Sequence, residues 1–544
     1  MDGKVQTIQE RWKQRTDSAF ERMIAGKSVA ELETMTQRED MAVLIGRELA
    51  AFLLEEQVAL DPAVQPSEAS SACCPKCGRA GTPAVQKGEE LPERTVVTRT
   101  GEIRVRRQRW RCSKCRVIFF PLDVKLQLGT EGYSPAVLSK AVRQASKAAS
   151  FAEASDDLRN LADVEISATH LQRISERIGQ EWAEVRDQEV EKFRESKLAR
   201  TYQEAPRGAA AAVMLDGGRL QTRADDHGRG VSAASWRESK VACCLTLQTK
   251  AAGVDPHPEP PAKFLEPTTA ARLASEIKRR SRPSSGRNDE QQGAAKASQR
   301  KKQRKKRKQR SPRSRQRKCA RTRVRTVVAT MANSEIFGWQ VAAEVHRRGL
   351  DQAKRKACVC DGQAYNWSVY EMHLLPLGFI AVLDFVHLLA YLHDAAHAAY
   401  GPDPARGWKT YVAWLRLAWS GKVGALLSQL RSAAAELAER GSSAADRKRT
   451  VDETVTYVTN NRERMDYPEY RRLGLPVSSA PVESTIKQIN RRVKGSEKFW
   501  LTDGAEAMLQ LRAAQLSHDD RWIRYSSRPR PHRAAGTHRL AQAA

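Results

Sequence analysis

The chain has 544 residues, and 93 Lys and Arg against 64 Asp and Glu leave a formal net charge of +29. That length allows about two to four domains with sizeable cores, and the cationic excess points to a polyanionic partner, nucleic acid before a membrane surface. No apolar run reaches the ~18 residues of a membrane span, and the polar start MDGKVQTIQERWKQ lacks the apolar centre of a secretion signal, so the expected location is the cytoplasm.

Residues 1–65 read as helical, with Met41, Ile45, Leu49, Phe52 and Leu53 as an apolar stripe of roughly helical period. A packing or oligomerisation role suits such a segment. Residues 70–125 form a different module. Cys74-x-x-Cys77 and Cys112-x-x-Cys115 bracket a hairpin-like stretch, VVTRTGEIRVRRQRW, with Thr100-Gly101 as its turn. Two such pairs bring four thiolates to one tetrahedral Zn²⁺, the pattern of a zinc ribbon. Cys73 adjoins Cys74 and competes with it for the first ligand position. Ten cysteines without a regular framework favour metal binding over disulfides. Arg104, Arg106, Arg107 and Arg109 decorate the hairpin beside Trp110 and suit contacts to a duplex backbone; a solvated charged strand would read the same way.

Residues 133–200 are expected to be helical. Phe151 to Leu161, then Glu165-Ile166-Ser167, then Ala168 to Ile178 reads as helix, turn, helix, with Ser167 capping the second helix. Thr169, His170, Gln172 and Arg173 would then face a major groove. Strand character begins at 210–250, with AAAVMLD and VACCLTLQT separated by WRESK. Residues 278–318 are of low complexity. Their 19 Lys and Arg against 2 acids give a net of +17, more than half of the chain's excess. Such a tract cannot form a core and is expected to be a disordered basic insert that holds DNA by counterion release.

Strand patterns resume at RVRTVVATMA and KRKACVCDG, and GFIAVLDFVHLLAYLHDAA reads as strand into helix. Residues 400–465 are helical, with Trp408, Trp414 and Trp419 as core. The segment 526–544 is expected to be a disordered tail. Strands alternating with helices indicate an α/β core.

Within that core three acids stand out. Asp216 and Asp361 each end an apolar run, and Glu483 sits early in an amphipathic helix, SAPVESTIKQINRRVKG. Carboxylates at strand ends project from one sheet edge, where they suit hard cations such as Mg²⁺ or Mn²⁺. Two such ions can activate a nucleophile and stabilise a leaving oxygen. Each Asp-Gly pair also reads as a simple turn. On the Glu483 helix, Val482, Ile486, Ile489 and Val493 make the buried stripe, while Glu483, Lys487, Asn490 and Lys494 share a separate face, so Lys487 and Lys494 are candidate DNA contacts. Asp384 ends another apolar run and competes with Asp361 for the second position; Asp384-x-x-His387 would support the site.

The stretches CPKCG…RWRCSKC, VMLDGGR with SWRESKVACC, VCDGQAYNW, LDFVHLLAYLHDA, PVESTIKQINRRVKG and FWLTDGAEAMLQLRAA, in that order over about residues 70–525, resemble bacterial insertion-sequence DDE transposases, specifically a zinc-ribbon-bearing Kra-type family near the Mutator-like superfamily. The resemblance implies a multidomain α/β protein. Its catalytic domain would span 210–525, with a ribonuclease-H-like core and a helical insertion, preceded by the zinc ribbon and the helix-turn-helix-like region. It assigns the metal-binding catalytic triad to Asp216, Asp361 and Glu483, with Asp384 and His387 supporting it and Trp500 as an active-site or hairpin-stacking aromatic. The implied cofactors are two Mg²⁺ (or Mn²⁺) ions and one structural Zn²⁺. The implied partners are double-stranded DNA, as element ends and target, and further copies of the chain on that DNA; no membrane is involved, and the place of action is the cytoplasm, at the nucleoid. The same front end would also serve a DNA-binding regulator without catalysis.

Overall fold

The computed structural model describes residues 3–25, 31–66, 72–84, 90–201, 209–223, 235–281, 321–401, 403–495 and 498–526. The chain divides into two compact units, Met1–Gly179 with Asp520–Ala544, and Gln180–Asp519. Most of the basic tract expected at 278–318, and all but Ser526 of the tail expected at 526–544, lie outside the described residues; Ser526 ends a short helix, Arg521–Ser526.

The first unit starts with α1 (Gly3–Phe20) and α2 (Met35–Ala59). Thr34 caps α2 through a reciprocal pair with Gln37, satisfying two donors that the helix start leaves open. Ile45 and Phe52 are buried, and Trp12 stacks on Phe52. Leu53, placed in the same stripe by its spacing, is 47% exposed, because the next residue along a helix turns about 100° away.

The β-structure of this unit is two small sheets. Strands β1 (Gly81–Pro83), β4 (Trp110–Cys112) and β5 (Ile118–Phe119) form one, in the order β1-β4-β5. The hairpin of β2 (Glu93–Thr98) and β3 (Gly101–Arg106) forms the other. Thr98 pairs with Gly101, so the two turn residues are Arg99 and Thr100, one position earlier than the sequence suggested. Gly101, at φ +118°, closes the turn in a conformation that favours glycine. Val96, Ile103 and Val105 of the hairpin pack with Val58 of α2, Leu128, and Leu122 of α3 (Pro121–Lys125).

Arg107 does not decorate the surface as expected. It is buried, stacked 4.1 Å over Phe120, and its Nε lies 3.0 Å from the buried carboxylate of Asp123, which Arg94 also contacts at 3.2 Å. Burial pulls the Arg107 pKa down and Asp123 opposes that pull. Removing one partner of such a pair leaves an uncompensated buried charge. Asp123→Ala is therefore expected to destabilise this unit by about 3 kcal/mol or more in denaturant melts. The double change Arg107→Met with Asp123→Leu should recover most of the loss, and no recovery would show that the pair does more than balance charge.

Three helices follow, α4 (Pro135–Lys147), α5 (Phe151–Ala162) and α6 (Ala168–Arg194). Asp163 ends α5 in the left-handed conformation, and Ser167 accepts the His170 N–H at the start of α6. Thr169, Gln172 and Arg173 are exposed and His170 is half-buried. The boundary between the two units falls inside α6, after Gly179.

The second unit is built on a five-stranded mixed sheet. Its strands are β6 (Ala209–Thr222), β7 (Ser235–Gln248), β8 (Arg321–Thr330), β9 (Arg355–Cys360) and β10 (Ile380–Leu383), in the order β10-β9-β6-β7-β8. The β10, β9 and β6 strands run parallel, whereas β6-β7 and β7-β8 are antiparallel. The stretch WRESK is not a connection, as the sequence suggested, but the start of β7. The strand β6 likewise runs on through Asp216-Gly217-Gly218 to Thr222, because β7 supplies partners for that whole length.

The helices of this unit are α7 (Pro267–Ser281), α8 (Ser334–Arg347), α9 (Ala364–Val369), α10 (Phe385–Tyr400), α11 (Pro404–Trp419), α12 (Val423–Glu439), α13 (Ala445–Asn461), α14 (Tyr467–Arg472), α15 (Ala480–Val493) and α16 (Thr502–Leu516), of which α8, α15 and α16 pack on the sheet and α10 to α13 pack on one another. In this helical layer Phe385 packs edge-on against Trp419 and Tyr467. Trp414 and Trp419 are buried core residues, as their apolar context suggested. No helix among the described residues is long and apolar enough to cross a membrane.

Candidate functional site

The site sits where the parallel half of the sheet stops. Leu215 pairs with Cys360, and Cys360 pairs with Leu383. The next residues along the three strands are Asp216, Asp361 and Asp384, so three acids fall at one level across β6, β9 and β10. Parallel pairing puts them there: a one-residue slip of either strand would move its acid out of line. Of the three, Asp216 is not at a strand end, since β6 continues antiparallel to β7 past it.

A fourth acid comes from α15. This helix buries Val482, Ile486, Ile489 and Val493, as its apolar spacing predicts, and crosses β6 at Gly218. A Cβ on Gly218 would meet Ile486, Asn490 and Ser239 at 3.5, 3.5 and 3.0 Å. The two helix contacts are ordinary van der Waals distances, and the tight one is to the Ser239 hydroxyl on β7. Glu483, in the first turn of α15, falls with Asp384 and His387 in a group whose ligand atoms lie within 4.8 Å of one another.

The acids differ in what already engages them. The fully buried Asp384 has both oxygens taken: one accepts the Val386 N–H at 2.7 Å, the other accepts from His387 Nδ1 at 3.0 Å and from the Ser479 hydroxyl. Burial alone would raise this carboxyl, but His387, Ser479 and the Val386 N–H hold it below its ordinary value. Asp384 thus caps α10 and clamps His387. By contrast, Asp361 uses one oxygen for the Gln363 N–H and the Asn366 amide, and Asp216 one for the Gly217 N–H. Among the described residues no hydrogen bond engages the second oxygen of either.

Burial pushes Asp216 up to about 7, with the charges of Asp361 and Glu483 acting in the same direction. Burial would lower His387, yet Asp384, Asp361 and Asp216 carry it up to about 9. A pocket of oxygen ligands that cannot all stay ionised alone is a fitting seat for a hard divalent cation. The ligand group brought together among the described residues is Asp384, His387 and Glu483, and Asp216 and Asp361 lie outside it; within it Asp384 and His387 are already bonded to each other.

The sequence singled out neither Tyr365 nor Ser479. The Tyr365 hydroxyl is buried without a hydrogen-bond partner among the described residues, and both it and Glu238 would lie 2.9 Å from a Cβ on Gly217. Burial, then Glu238, Asp361 and Asp216, push this phenol far above its ordinary value, so it stays protonated as a donor beside the acids. Only the tertiary fold places it there. Trp500 is 6% exposed, donates its indole N–H to the Val493 carbonyl and bridges Thr222. It is a core residue that ties the chain after α15 to the end of β6. Lys487 and Lys494 are exposed, Lys494 lying over Trp236 at 5.4 Å.

The first unit holds a second group. The sulfurs of Cys74 and Cys115 are 3.6 Å apart, those of Cys77 and Cys112 3.5 Å, and those of Cys77 and Cys115 3.8 Å. Four thiolates about 2.3 Å from a tetrahedral Zn²⁺ would be about 3.8 Å apart, so the group is compatible with zinc. Cys74, not the exposed Cys73, belongs to it. The Cys115 N–H is the main influence that draws the Cys112 thiol down to about 6, while the sulfur contacts with Cys112, Cys74 and Cys77 help raise Cys115 to about 11, so the four share protons rather than ionise alike. Of the predicted DNA-contacting arginines, Arg104 and Arg106 are largely exposed beside Glu93, and Arg109 is half-buried.

Comparison with known protein families gives no match to this chain, and comparison with curated proteins gives none either.

Proposed function

We propose that the protein is a DNA transposase of the DDE type, in which Asp216, Asp361 and Glu483 hold two divalent cations for phosphoryl transfer on DNA. The observation that carries the reading is the level placement of Asp216 and Asp361 on adjacent parallel strands, with the helix bearing Glu483 laid across the same edge. On this reading the sheet and its helices are a ribonuclease-H-like core, α11 to α13 the helical insertion, and the four-cysteine module a zinc ribbon. Bound Mg²⁺ or Mn²⁺ would supply activation of the attacking oxygen and neutralisation of charge at phosphorus.

The chain's own residues have separable tasks. Asp384 fixes the ring of His387, and the imidazolium balances the surplus of carboxylate charge. Tyr365 offers an O–H to an oxygen of a phosphate at Asp216. Lys487 and Lys494, with the exposed Arg104 and Arg106, grip backbone phosphates without reading sequence. Strand transfer by transesterification needs no external energy source, because one phosphodiester is exchanged for another.

The test is whether the purified protein, with Mg²⁺ or Mn²⁺, cleaves and joins DNA that carries the terminal inverted repeats expected to flank its gene. Tight binding to those ends with no metal-dependent cleavage would favour the regulator instead, a reading supported by the separate cysteine-bearing unit.

A further inference from the structure

Ser479 is the N-cap residue of α15, yet its side chain caps none of that helix's N–H groups. Serine is favoured at a helix start because its hydroxyl accepts the N–H of the second or third helical residue. Here the second is Pro481, which has no N–H. The Val482 and Glu483 N–H groups go to the backbone carbonyl of Ser479, at 3.0 and 3.2 Å. Ser478 supplies the local side-chain bond instead, accepting the Ala480 N–H at 3.3 Å. The Ser479 hydroxyl turns away from its own helix and donates to Oδ2 of Asp384, 95 residues earlier in the chain. Ser479 is 1% exposed and Asp384 0%, so water does not compete for this bond.

The bond joins the start of α15 to the level of the acids. The Asp384 N–H donates to the carbonyl of Cys360, the residue before Asp361, at 2.8 Å, and the Phe385 N–H donates to the Val477 carbonyl at 2.9 Å. The Asp384 oxygen that receives the Ser479 hydroxyl also receives His387 Nδ1. Glu483 lies one helical turn after Ser479, and one of its oxygens falls within 4.8 Å of ligand atoms of Asp384 and His387. Farther along the helix, Thr485 meets Cys243 of β7 and Arg325 of β8. The helix is thus tied to the antiparallel strands at Thr485 and to the parallel ones, through Asp384, at Ser479. Its apolar stripe holds it down without direction; the hydrogen bonds at its start fix where along its axis it stops.

We propose that Ser479 is a positioning residue of the metal centre: its bond to Asp384 fixes the start of α15 and so sets where the Glu483 carboxylate stands beside Asp216 and Asp361. The inference rests on the reading of Glu483 as a ligand of the catalytic cations. Ser479 acts through Glu483 and ligates no cation itself, because its hydroxyl is committed to Asp384. Partners that orient a ligand in this way change metal affinity by about 10–100-fold when removed. A ligand displaced by a few tenths of an ångström no longer matches the short, strict metal–oxygen distance.

The test uses the full-length protein and Mn²⁺ as the probe, with bound Mn²⁺ read from the loss of the free-ion signal in electron paramagnetic resonance. Ser479→Ala is expected to weaken Mn²⁺ binding about tenfold, and to raise the Mn²⁺ concentration for half-maximal DNA cleavage by the same factor. Duplex affinity in EDTA should stay at the wild-type value, and the melting temperature in EDTA within about 3 °C of it. Ser478→Ala, which removes the local bond of the same turn, should leave the Mn²⁺ affinity unchanged. Wild-type Mn²⁺ affinity in Ser479→Ala would overturn the inference. So would an equal loss in both variants, or a Ser479→Ala protein that no longer folds, since either makes the contact merely structural. Asp361→Asn separates this inference from the wider reading. If it removes Mn²⁺ binding while Ser479→Ala has no effect, the Ser479 inference alone fails. If the wild-type protein binds no Mn²⁺, or binds it equally well after Asp361→Asn, both fail.

Discussion

Asp216→Asn is expected to abolish metal-dependent DNA cleavage, by on the order of a thousandfold or more, and at the same time to make the metal-free protein more heat-stable at pH 8. The two effects share one cause. Burial, and then the charge of Asp361, push Asp216 from 3.8 up to about 7. In the metal-free protein, folding therefore favours the protonated acid, and stability falls as pH rises from about 4 through 7. His387, raised from 6.5 to about 9, contributes stability that is full below 6.5 and lost as pH passes 9. Asp384 works in the other sense: its depressed value means that its contribution disappears only as pH falls through that value. In EDTA the wild-type melting temperature should thus drop between pH 5 and pH 9, and Asp216→Asn should flatten the part below pH 7. Mg²⁺ or Mn²⁺ should raise the wild-type melting temperature at pH 8 and leave the variant's nearly unchanged. A variant that is less stable than wild type at pH 8 in EDTA would mean that the Asp216 carboxylate is held by structural bonds rather than strained by its neighbours.

Loss of zinc should have the largest effect in the first unit. The sheet that carries the four cysteines has strands of three, three and two residues. Its buried cluster is Cys74, Trp110, Cys112 and Phe119, with Ala72 and Cys115 alongside. So small a core offsets little of the entropy of ordering its loops, and on the zinc-ribbon reading a metal supplies the difference. The purified protein should contain about one zinc per chain. Cys112→Ser, or a strong chelator, should open the segment around residues 72–119 to protease and blue-to-red shift the emission of Trp110, which is 1% exposed in the folded protein. The unit Gln180–Asp519 should melt as before. A protein free of zinc, with the same protease resistance after Cys112→Ser, would refute the metal centre.

Local chemistry was legible in the sequence, and long-range placement was not. The C-x-x-C spacing marks four thiols because each pair fixes its own geometry, and the structure brings those four together. The apolar stripe of α15 was also readable, since a helix buries one face at a fixed period. The Asp216-Gly217 pair was harder. Read locally, it suggests a turn or a strand end, yet β7 pairs past it and keeps β6 extended. Arg107 looked like its neighbours on the hairpin until Asp123, 16 residues on, claimed it. The place of Tyr365 depends on α9 meeting β6 and β7, and no spacing along the chain encodes that. The choice between Asp361 and Asp384 turns on hydrogen bonds as well. Both end apolar runs, but only Asp384 has both oxygens committed, as the cap of α10 and the clamp on His387.

The central claim is that Asp216, Asp361 and Glu483 form one phosphoryl-transfer centre. Its most direct test is the yield of joined DNA from labelled element ends with Mn²⁺, measured for the wild-type protein and for Asp216→Asn, Asp361→Asn, Glu483→Gln and Asp384→Asn at equal DNA occupancy. The account predicts joined product from the wild-type protein, none from the first three variants, and a reduced but measurable yield from Asp384→Asn, which loosens His387. Full joining by Asp361→Asn together with none by Asp384→Asn would contradict it.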